Sequence, residues 1–481
     1  ATLNMTALRR HNMDVPPLAQ VKGIDVHRGQ SKVLESASVN VGAGEVVAVM
    51  GHNGSGKTTL IEAFAGILPL RSGEVIWNYG GETILVRDSD GRRNPPPPMG
   101  LTLQKGGICG DETVSERLAV SLSVAGILPR EEQLLELLGD WGLRHRSNDR
   151  VAHLSGGLSR RLSILCGLAP AALSETPRVV LMDEPSEGLD ESAKEILKGW
   201  IRGLSSRNHG ILVATHDKDL SSCADRILTI EDNLLSESPG ESLGESHQLP
   251  EIGEPSEQST ISSLIRWSMR MELRNPIETV GRATPAVVAI LLSYALMMDY
   301  ELQTHDSRLL AALVLAPAFI ASISSPALVS RLAESDCGRW WDSVAGPMAR
   351  PAFSISGASV LLPIPVTYIS WYVLSGSVDG QVSSEVLAWL WIPALAMVDL
   401  AIASTALHLL VSDLSRSSAA PAPLLLVVMV WPFLELTDAL SSIIDNGMTW
   451  GLSIHDPLVT CIVASLISAL VWLSAVLIPD Y

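Results

Sequence analysis

Residues 51–59 read Gly51-His52-Asn53-Gly54-Ser55-Gly56-Lys57-Thr58-Thr59. They fit the pattern G-x-x-x-x-G-K-[ST] and follow an apolar, β-branched run at 46–50, which predicts a strand, a phosphate-binding loop and a helix. Backbone N–H groups of such a loop turn towards phosphate oxygens, and the helix points its positive end at them. We expect Lys57 to reach the β- and γ-phosphates and Thr58 to bind Mg²⁺. A glycine-rich turn that carries a lysine by chance is the alternative.

Hydrophobicity is unevenly distributed along the 481 residues. This length predicts two to four domains. The last lysine is Lys218, and residues 284–481 hold five arginines among long apolar runs. A net charge of -18 argues against a nucleic-acid partner. The five cysteines are widely separated and form no C-x-x-C motif, which indicates neither a zinc site nor a disulfide framework.

Composition divides the chain into four segments: a loose tail at 1–16, a soluble domain at 17–235, an acidic Ser/Glu/Pro linker at 236–260 and a membrane domain at 261–481. In the soluble domain, continuous apolar runs of strand length alternate with helical periodicity, which predicts an α/β fold around a parallel sheet. The linker predicts a solvated, disordered spacer, with partner binding as the alternative. Residues 1–16 lack the layout of a signal peptide, so we expect the soluble domain in the cytoplasm.

The second half predicts an all-α, polytopic membrane domain. Its six apolar stretches approach the length of a membrane span: about 280–298, 308–328, 352–375, 386–410, 421–436 and 457–478. Arginines lie in the loops 329–351 and 411–420 and are absent from the other three loops, so both termini and the soluble domain are predicted on the cytoplasmic side of the plasma (inner) membrane. Arginines spaced by four at 266–274 predict a helix on the lipid surface.

Five further motifs follow the phosphate loop in a regular order. They are Gln104 after an apolar lead-in, Leu154-Ser155-Gly156-Gly157, Asp183-Glu184 after the apolar run 179–182, Ser186-Glu187-Gly188-Leu189-Asp190, and His216 after the run 211–214. A helix N-cap explains a serine at 155 but not the paired glycines. With the phosphate loop, the set resembles the nucleotide-binding domain of ABC transporters, including its Q-loop, signature, Walker B, D-loop and switch histidine.

The resemblance implies a role for each motif. Glu184 activates water, His216 contacts the γ-phosphate, and Gln104 and Asp183 join Thr58 around Mg²⁺. In this family the signature of one domain faces the phosphate loop of another. Ser155, Gly156 and Gly157 would therefore bind ATP in trans, which implies a homodimer of this chain.

Two positions depart from the family pattern. Leu158 stands where the signature usually carries glutamine. Because this position lies beyond the phosphate donors, we expect the rate of ATP hydrolysis to be altered but not abolished. The aromatic residue that stacks on adenine is absent. His27 is the best-placed planar substitute, with an ordinary surface histidine as the alternative.

A narrower resemblance covers most of the chain. Residues 106–108, 112–118 and the pair Arg160-Arg161 resemble the ATPase subunit of the cytochrome c maturation haem exporter, and residues 270–276 and 334–338 resemble its permease subunit. This implies ATP-driven export or release of haem for c-type cytochromes, with a haem-handling membrane protein and a haem chaperone as partners. An exporter of a lipid, drug or glycan is one alternative. A membrane-anchored ATPase that remodels a partner complex without transport is another.

Substrate contacts are less clearly marked. Trp340-Trp341 suits a cytoplasmic coupling helix better than a haem site, because arginines surround the pair. Asp399 and His408 lie in one predicted span, nine residues apart, so they face roughly opposite ways and cannot form one site. His455, in an outer loop with Trp450, is a weak candidate ligand for haem iron.

Overall fold

A computed structural model describes residues 16–299, 306–375, 380–414, 421–453 and 456–477. The chain divides into two compact units. The first unit runs to Leu264 and also contains Arg331–Ala349. The second contains Ile265–Ser330 and Arg350–Pro479. A short segment from the apolar half of the sequence therefore belongs to the first unit.

The first unit is built on two main sheets. Its strands are β1 (Ala19–Arg28), β2 (Ser31–Val41), β3 (Val46–Met50), β4 (Ser72–Tyr79), β5 (Glu82–Asp88), β6 (Gly100–Thr102), β7 (Ile127–Leu128), β8 (Val179–Asp183), β9 (Gly210–Ala214), β10 (Arg226–Glu231), β11 (Leu234–Pro239) and β12 (Glu254–Pro255). An antiparallel sheet has the order β2-β1-β4-β5, and a six-stranded sheet has the order β11-β10-β3-β9-β8-β6. In the larger sheet only the β10–β11 pair is antiparallel.

The central strands of the larger sheet are β3, β8 and β9. Every residue of β8 and β9 is buried, and so is all of β3 except Met50. Strands covered on both faces carry continuous apolar runs, which is why these segments could be predicted from sequence. Their carboxyl ends meet at one edge of the sheet, and the predicted site residues follow them there.

Helices cover this sheet and make up the second unit. In chain order they are α1 (Lys57–Phe64), α2 (Val114–Val124), α3 (Glu131–Asp140), α4 (Gly156–Ala172), α5 (Glu191–Ser206), α6 (Lys218–Ser221), α7 (Thr260–Arg274), α8 (Pro276–Asp299), α9 (Ser307–Ile323), α10 (Ala327–Ala333), α11 (Cys337–Ala345), α12 (Ala349–Ser356), α13 (Pro363–Leu374), α14 (Gly380–Trp389), α15 (Trp391–Leu414), α16 (Pro421–Asn446) and α17 (Pro457–Leu477).

The acidic segment 236–260 differs from the expected solvated spacer. It begins inside β11, and its short strand β12 pairs with β7. His247 stacks on Trp200 with ring centroids 5.9 Å apart, and Leu249 is buried. The Arg207 guanidinium donates to the carbonyls of Leu249 and Pro250 at 2.9 and 3.0 Å. The prediction of disorder was wrong because a few side chains and backbone groups in a polar segment find partners on the folded domain.

Four helical segments in the described part of the second half are long and apolar enough to cross a membrane. They are Ser307–Ser356, which begins with α9, then Trp391–Ser412, Val427–Asn446 and Pro457–Leu477. The apolar stretch Ala283–Met298 within α8 is shorter. The fold prediction, an α/β domain followed by a helical, apolar region, is confirmed.

Two predicted spans differ in detail from the structure. The stretch 352–375 is interrupted between α12 and α13 by a 3₁₀ turn at Ala358–Leu361, and Pro363 opens α13 because proline suits the first helical turn. The stretch 421–436 extends to Asn446, ten residues into the predicted loop. The helix continues past residue 436 because its buried face continues and packs against the rest of the unit. The buried residues of this face are Leu436, Ala439, Leu440 and Ile443.

Candidate functional site

The predicted phosphate loop joins β3 to α1 as expected. Gly56, at the start of α1, has a φ of 112°, and a Cβ there would lie 2.9 Å from Val33 Cγ1. A Cβ on Gly51 would meet the buried Ser55 hydroxyl. Both positions therefore require glycine. The α1 helix begins at Lys57 and directs its first N–H groups into the loop, which is the geometry of an anion site.

Lys57 lies at the centre of this loop. Its side chain is 7% exposed, and Nζ donates to the carbonyls of Gly51 at 2.9 Å and His52 at 3.3 Å. Nζ also lies 3.4 Å from Oε1 of Glu184. The structure thus brings together two residues that stand 127 positions apart in the sequence. Since both side chains are buried, each neutralises the other's charge.

Glu184 follows β8 and is held in a strained conformation. Its φ is 46°, in the left-handed region that non-glycine residues rarely adopt. Its N–H donates to the Ala214 carbonyl at 2.8 Å, which fixes the carboxylate at the end of the sheet. Its Oε2 lies 2.8 Å from Nδ1 of His216, whose side chain is 63% exposed. The pair has the reach of a water-activating base beside a solvent-accessible histidine.

Asp183 and Thr58 are two of the three residues predicted to bind Mg²⁺. Asp183 is 2% exposed, and its Oδ1 has no hydrogen-bond partner within the described structure. Burial raises the pKa of Asp183 to about 6, and a hydrogen bond with the Thr58 side chain opposes this rise. A buried, uncompensated carboxylate oxygen beside a hydroxyl suits a hard cation, so these residues fit Mg²⁺. The ion, when bound, would neutralise phosphate charge.

Other predicted residues are more exposed than this cluster. Gln104 is exposed. Ser155, Gly156 and Gly157 are also exposed at the start of α4, and a Cβ on Gly156 would meet nothing within 4 Å. The signature residues therefore present an open surface. His27 is half-buried in β1, paired in register with Lys32.

Arg160 makes contacts beside the site that the sequence did not reveal. Its guanidinium donates to the carbonyls of Leu103 and Gln104 at 3.0 and 2.9 Å, and to those of Asp183 and Glu184 at 3.1 and 2.6 Å. It therefore ties the backbone at Leu103 and Gln104 to the backbone of Asp183 and Glu184 at the end of β8. Its position in a basic pair after the signature was visible in the sequence, but the four carbonyls became neighbours only in the folded chain.

The helix α11 packs within the first unit, although it belongs by sequence to the apolar half. Trp340 and Trp341 are 3% and 0% exposed, and the Arg117 guanidinium lies 3.9 Å from the ring centroid of Trp340. A cation over an aromatic face is attractive, and more so when both are buried. The two tryptophans therefore anchor α11 in the domain and leave no open ring face for haem.

Ion pairs surround this anchor. Asp342 accepts from Arg93 at 2.7 Å, and Arg339 lies 2.8 Å from Glu62. Glu62 is buried on α1, where it also pairs with Arg28. Because Glu62 lies four residues after Thr58, it sits one turn further along the same helix. The Arg339 contact therefore connects α11 to the helix that opens the phosphate site.

Asp399 and His408, the two ionisable residues of the predicted fourth span, lie in different surroundings. His408 Nε2 lies 3.0 Å from the Ile323 carbonyl, a contact that explains the residue structurally. Asp399 lines a different region, a cavity to which His408 does not contribute. The expectation that they form no common site agrees with this geometry. His455 lies outside the described residues.

The chain is similar to known proteins over the region of this site. A profile described as ABC transporter matches residues 34–187. The putative hemin import ATP-binding protein HrtA of Staphylococcus haemolyticus is 31% identical over 209 residues, which cover 43% of this chain and 91% of that protein. The macrolide export ATP-binding/permease protein MacB of Nitrosomonas europaea is 30% identical over 233 residues, 46% of this chain and 34% of that protein.

Our chain thus spans about a third of the length of that macrolide exporter. Among solved structures, a dimeric bacterial ABC transporter cassette is similar at a TM-score of 0.39 and 22% identity, covering 47% of this chain and 99% of that chain. The hemin-named relative HrtA is matched over almost its whole length, and the phosphate loop and the acidic residues at the end of β8 lie within the matched region. This chain therefore belongs to the ABC transporter family, whose ATP-binding domain hydrolyses ATP.

Proposed function

We infer that the chain is a half-transporter in which ATP hydrolysis drives its own membrane helices. The observation that supports this most directly is the packing of α11. This helix lies between the apolar helices in sequence, yet Trp340, Arg339 and Asp342 make buried or paired contacts with the ATPase unit. A movement of α1 on nucleotide binding would be transmitted to α11 through Glu62.

The working unit is proposed to be a homodimer. Lys57, Glu184 and Asp183 cluster in one place, whereas Ser155, Gly156 and Gly157 present an open surface without phosphate-loop contacts. A second copy would bring its signature to the nucleotide and complete the site. Within each half, Lys57 would stabilise phosphoryl charge, and Glu184 would orient water while His216 contacts the γ-phosphate.

Orientation follows from the arginine distribution. Loop 329–351 carries three arginines, and its central part packs on the ATPase unit. We propose that this unit faces the cytoplasm and that the helices cross the plasma (inner) membrane several times.

For the substrate, haem is one candidate, to be exported or released for cytochrome c maturation. The motifs at 106–118, 270–276 and 334–338 favour it, and one relative is named for hemin. Deletion of the gene should abolish holo-cytochrome c, with rescue by the wild-type chain and not by Glu184→Gln. Unchanged holo-cytochrome c would exclude this role.

Purified chain in liposomes separates transport from remodelling. ATP-dependent haem accumulation by the wild-type chain, absent in Glu184→Gln, supports haem transport. Absence of accumulation together with ATPase activity that a partner complex stimulates would favour a mechanochemical ATPase instead.

A further inference from the structure

The second unit contains an apolar cavity of about 630 Å³ between α15 and α17, open on one side, where Trp391 and Trp450 are exposed. Its walls are aliphatic and aromatic side chains, with Ser465 and Asp399 as the polar exceptions. This volume is in the range of sites that hold small organic molecules, and such sites combine apolar walls with one or a few polar groups that orient the ligand. Asp399 supplies the single acidic group.

Asp399 lies deep in a predicted membrane span. It is eight residues from the first residue of α15, which corresponds to roughly 12 Å along the helix. No basic side chain lines the cavity, and no hydrogen bond or ion pair joins Asp399 to any other residue in the described ranges. An ionised carboxylate in such surroundings is costly unless a positive charge accompanies it. Within the described ranges, the residues that line the cavity supply none.

Three tryptophans provide the second half of the site. Trp391, Trp450 and Trp472 all line the cavity. The Trp472 indole donates to Ser354 Oγ at 2.7 Å, and Trp450 packs edge-to-face on Trp389 at 5.4 Å. These contacts hold two of the rings in place, so their orientation precedes ligand binding. Indole faces attract cations.

We propose that this cavity binds a hydrophobic organic cation, with Asp399 as its counter-ion and the tryptophans as its walls. The proposal rests on the transport function above, for which it names a class of substrate. An anionic molecule such as haem, which carries two propionates, is disfavoured beside an unpaired carboxylate. A neutral hydrocarbon would contact the apolar walls, but it would not offset the free-energy cost of the Asp399 charge.

Tetraphenylphosphonium and tetraphenylborate test the proposal, because they have nearly the same size and shape but opposite charge. The full chain is purified in a neutral detergent, and binding of each ion is measured by equilibrium dialysis without nucleotide. We expect saturable binding of the cation at one site per chain and no saturable binding of the anion. Asp399→Asn should raise the Kd of the cation at least about tenfold, since it removes one partner of a desolvated ion pair.

Two further variants serve as controls for Asp399→Asn. Glu435→Gln removes a carboxylate that accepts from Trp431 and does not line the cavity, and it should leave the Kd unchanged. Ala469→Trp should abolish binding by filling the cavity while Asp399 is retained. Each variant must keep the melting temperature and ATPase rate of the wild-type chain.

Equal binding of both ions, or an unchanged Kd in Asp399→Asn, would overturn the proposal. Competition by haem at the same site would also overturn it. Dialysis requires no ATP, so this test is independent of ATP hydrolysis and of transport. Loss of cation binding would not affect the conclusion about ATPase activity, and a chain that fails to transport can still be tested for cation binding.

Discussion

The two units use charged side chains in opposite ways. The ATPase unit contains two pairs of opposite buried charges in contact, Lys57 with Glu184 and Arg117 with Glu112. In the described part of the second unit, Glu272 is the one buried charged residue, and its Oε1 accepts from the Leu328 N–H at 2.8 Å. Among the described residues, buried ion pairs therefore characterise the first unit, whereas in the second unit the informative charged residue is Asp399 in an apolar cavity.

The largest expected effect concerns the base in the charged cluster. Glu184→Gln should lower ATP hydrolysis by about 10²–10⁴-fold, since an amide cannot accept a proton from water. Phosphate release by purified chain measures the rate, and a fluorescent nucleotide measures binding, which should persist. Glu191→Gln, at an exposed position on α5, is the matched control and should hydrolyse ATP normally. Wild-type turnover in Glu184→Gln would place water activation on another residue.

Replacing Asp183 by asparagine should lower ATPase activity but raise the stability of the fold. Asp183→Asn should abolish hydrolysis because it removes a proposed ligand of Mg²⁺. It should also raise the melting temperature of the nucleotide-free chain in EDTA at pH 7.5, because burial raises the pKa of the wild-type carboxyl to about 6.

The sign of this stability difference depends on pH. The native carboxyl holds its proton more tightly than the unfolded chain, whose pKa is near 3.8, so its stabilising contribution is lost as the pH rises through about 6. The advantage of Asp183→Asn should thus shrink below pH 6. An advantage that is the same at pH 5 and pH 7.5 would contradict this explanation.

The contact between Arg339 and Glu62 should produce a smaller, non-additive effect. We expect Arg339→Gln and Glu62→Gln to couple by about 0.5–3 kcal/mol in a double-mutant cycle on the kcat/KM for ATP, because the residues touch. Asp342→Asn breaks a different ion pair of α11, with Arg93, and should add independently to Glu62→Gln. Additivity in both cycles would show that α11 does not act through α1.

The smallest effect concerns acid stability of the ATPase unit. His209 is fully buried, its Nδ1 accepts from the Arg178 N–H at 3.0 Å, and burial lowers its pKa to about 4. The unfolded chain protonates this residue near pH 6.5, so the stability that the neutral form contributes is lost as the pH falls from there towards 4. Urea midpoints should fall over that range, less steeply in His209→Gln. His145→Gln, at an exposed position, should keep the wild-type slope.

Sequence reasoning succeeded where function constrains neighbouring residues. The loop 51–59 and the carboxylates after β8 could be predicted because their residues are consecutive and follow buried strands. It failed at 236–260, where average composition concealed the few contacts made by Leu249 and His247. It also missed Arg160, because one arginine says nothing about which carbonyls the fold will bring to it.

The sequence by itself determined the family, the ATP chemistry and the division into a polar and an apolar half. Each of these depends on local pattern: a glycine spacing, a carboxylate after a strand, or a run of apolar residues. Tertiary structure alone decided that Lys57 lies against Glu184, that α11 packs in the ATPase unit, and that Asp399 lines a cavity with three tryptophans. Long-range contacts join residues far apart in the chain, and no local pattern records which of them meet.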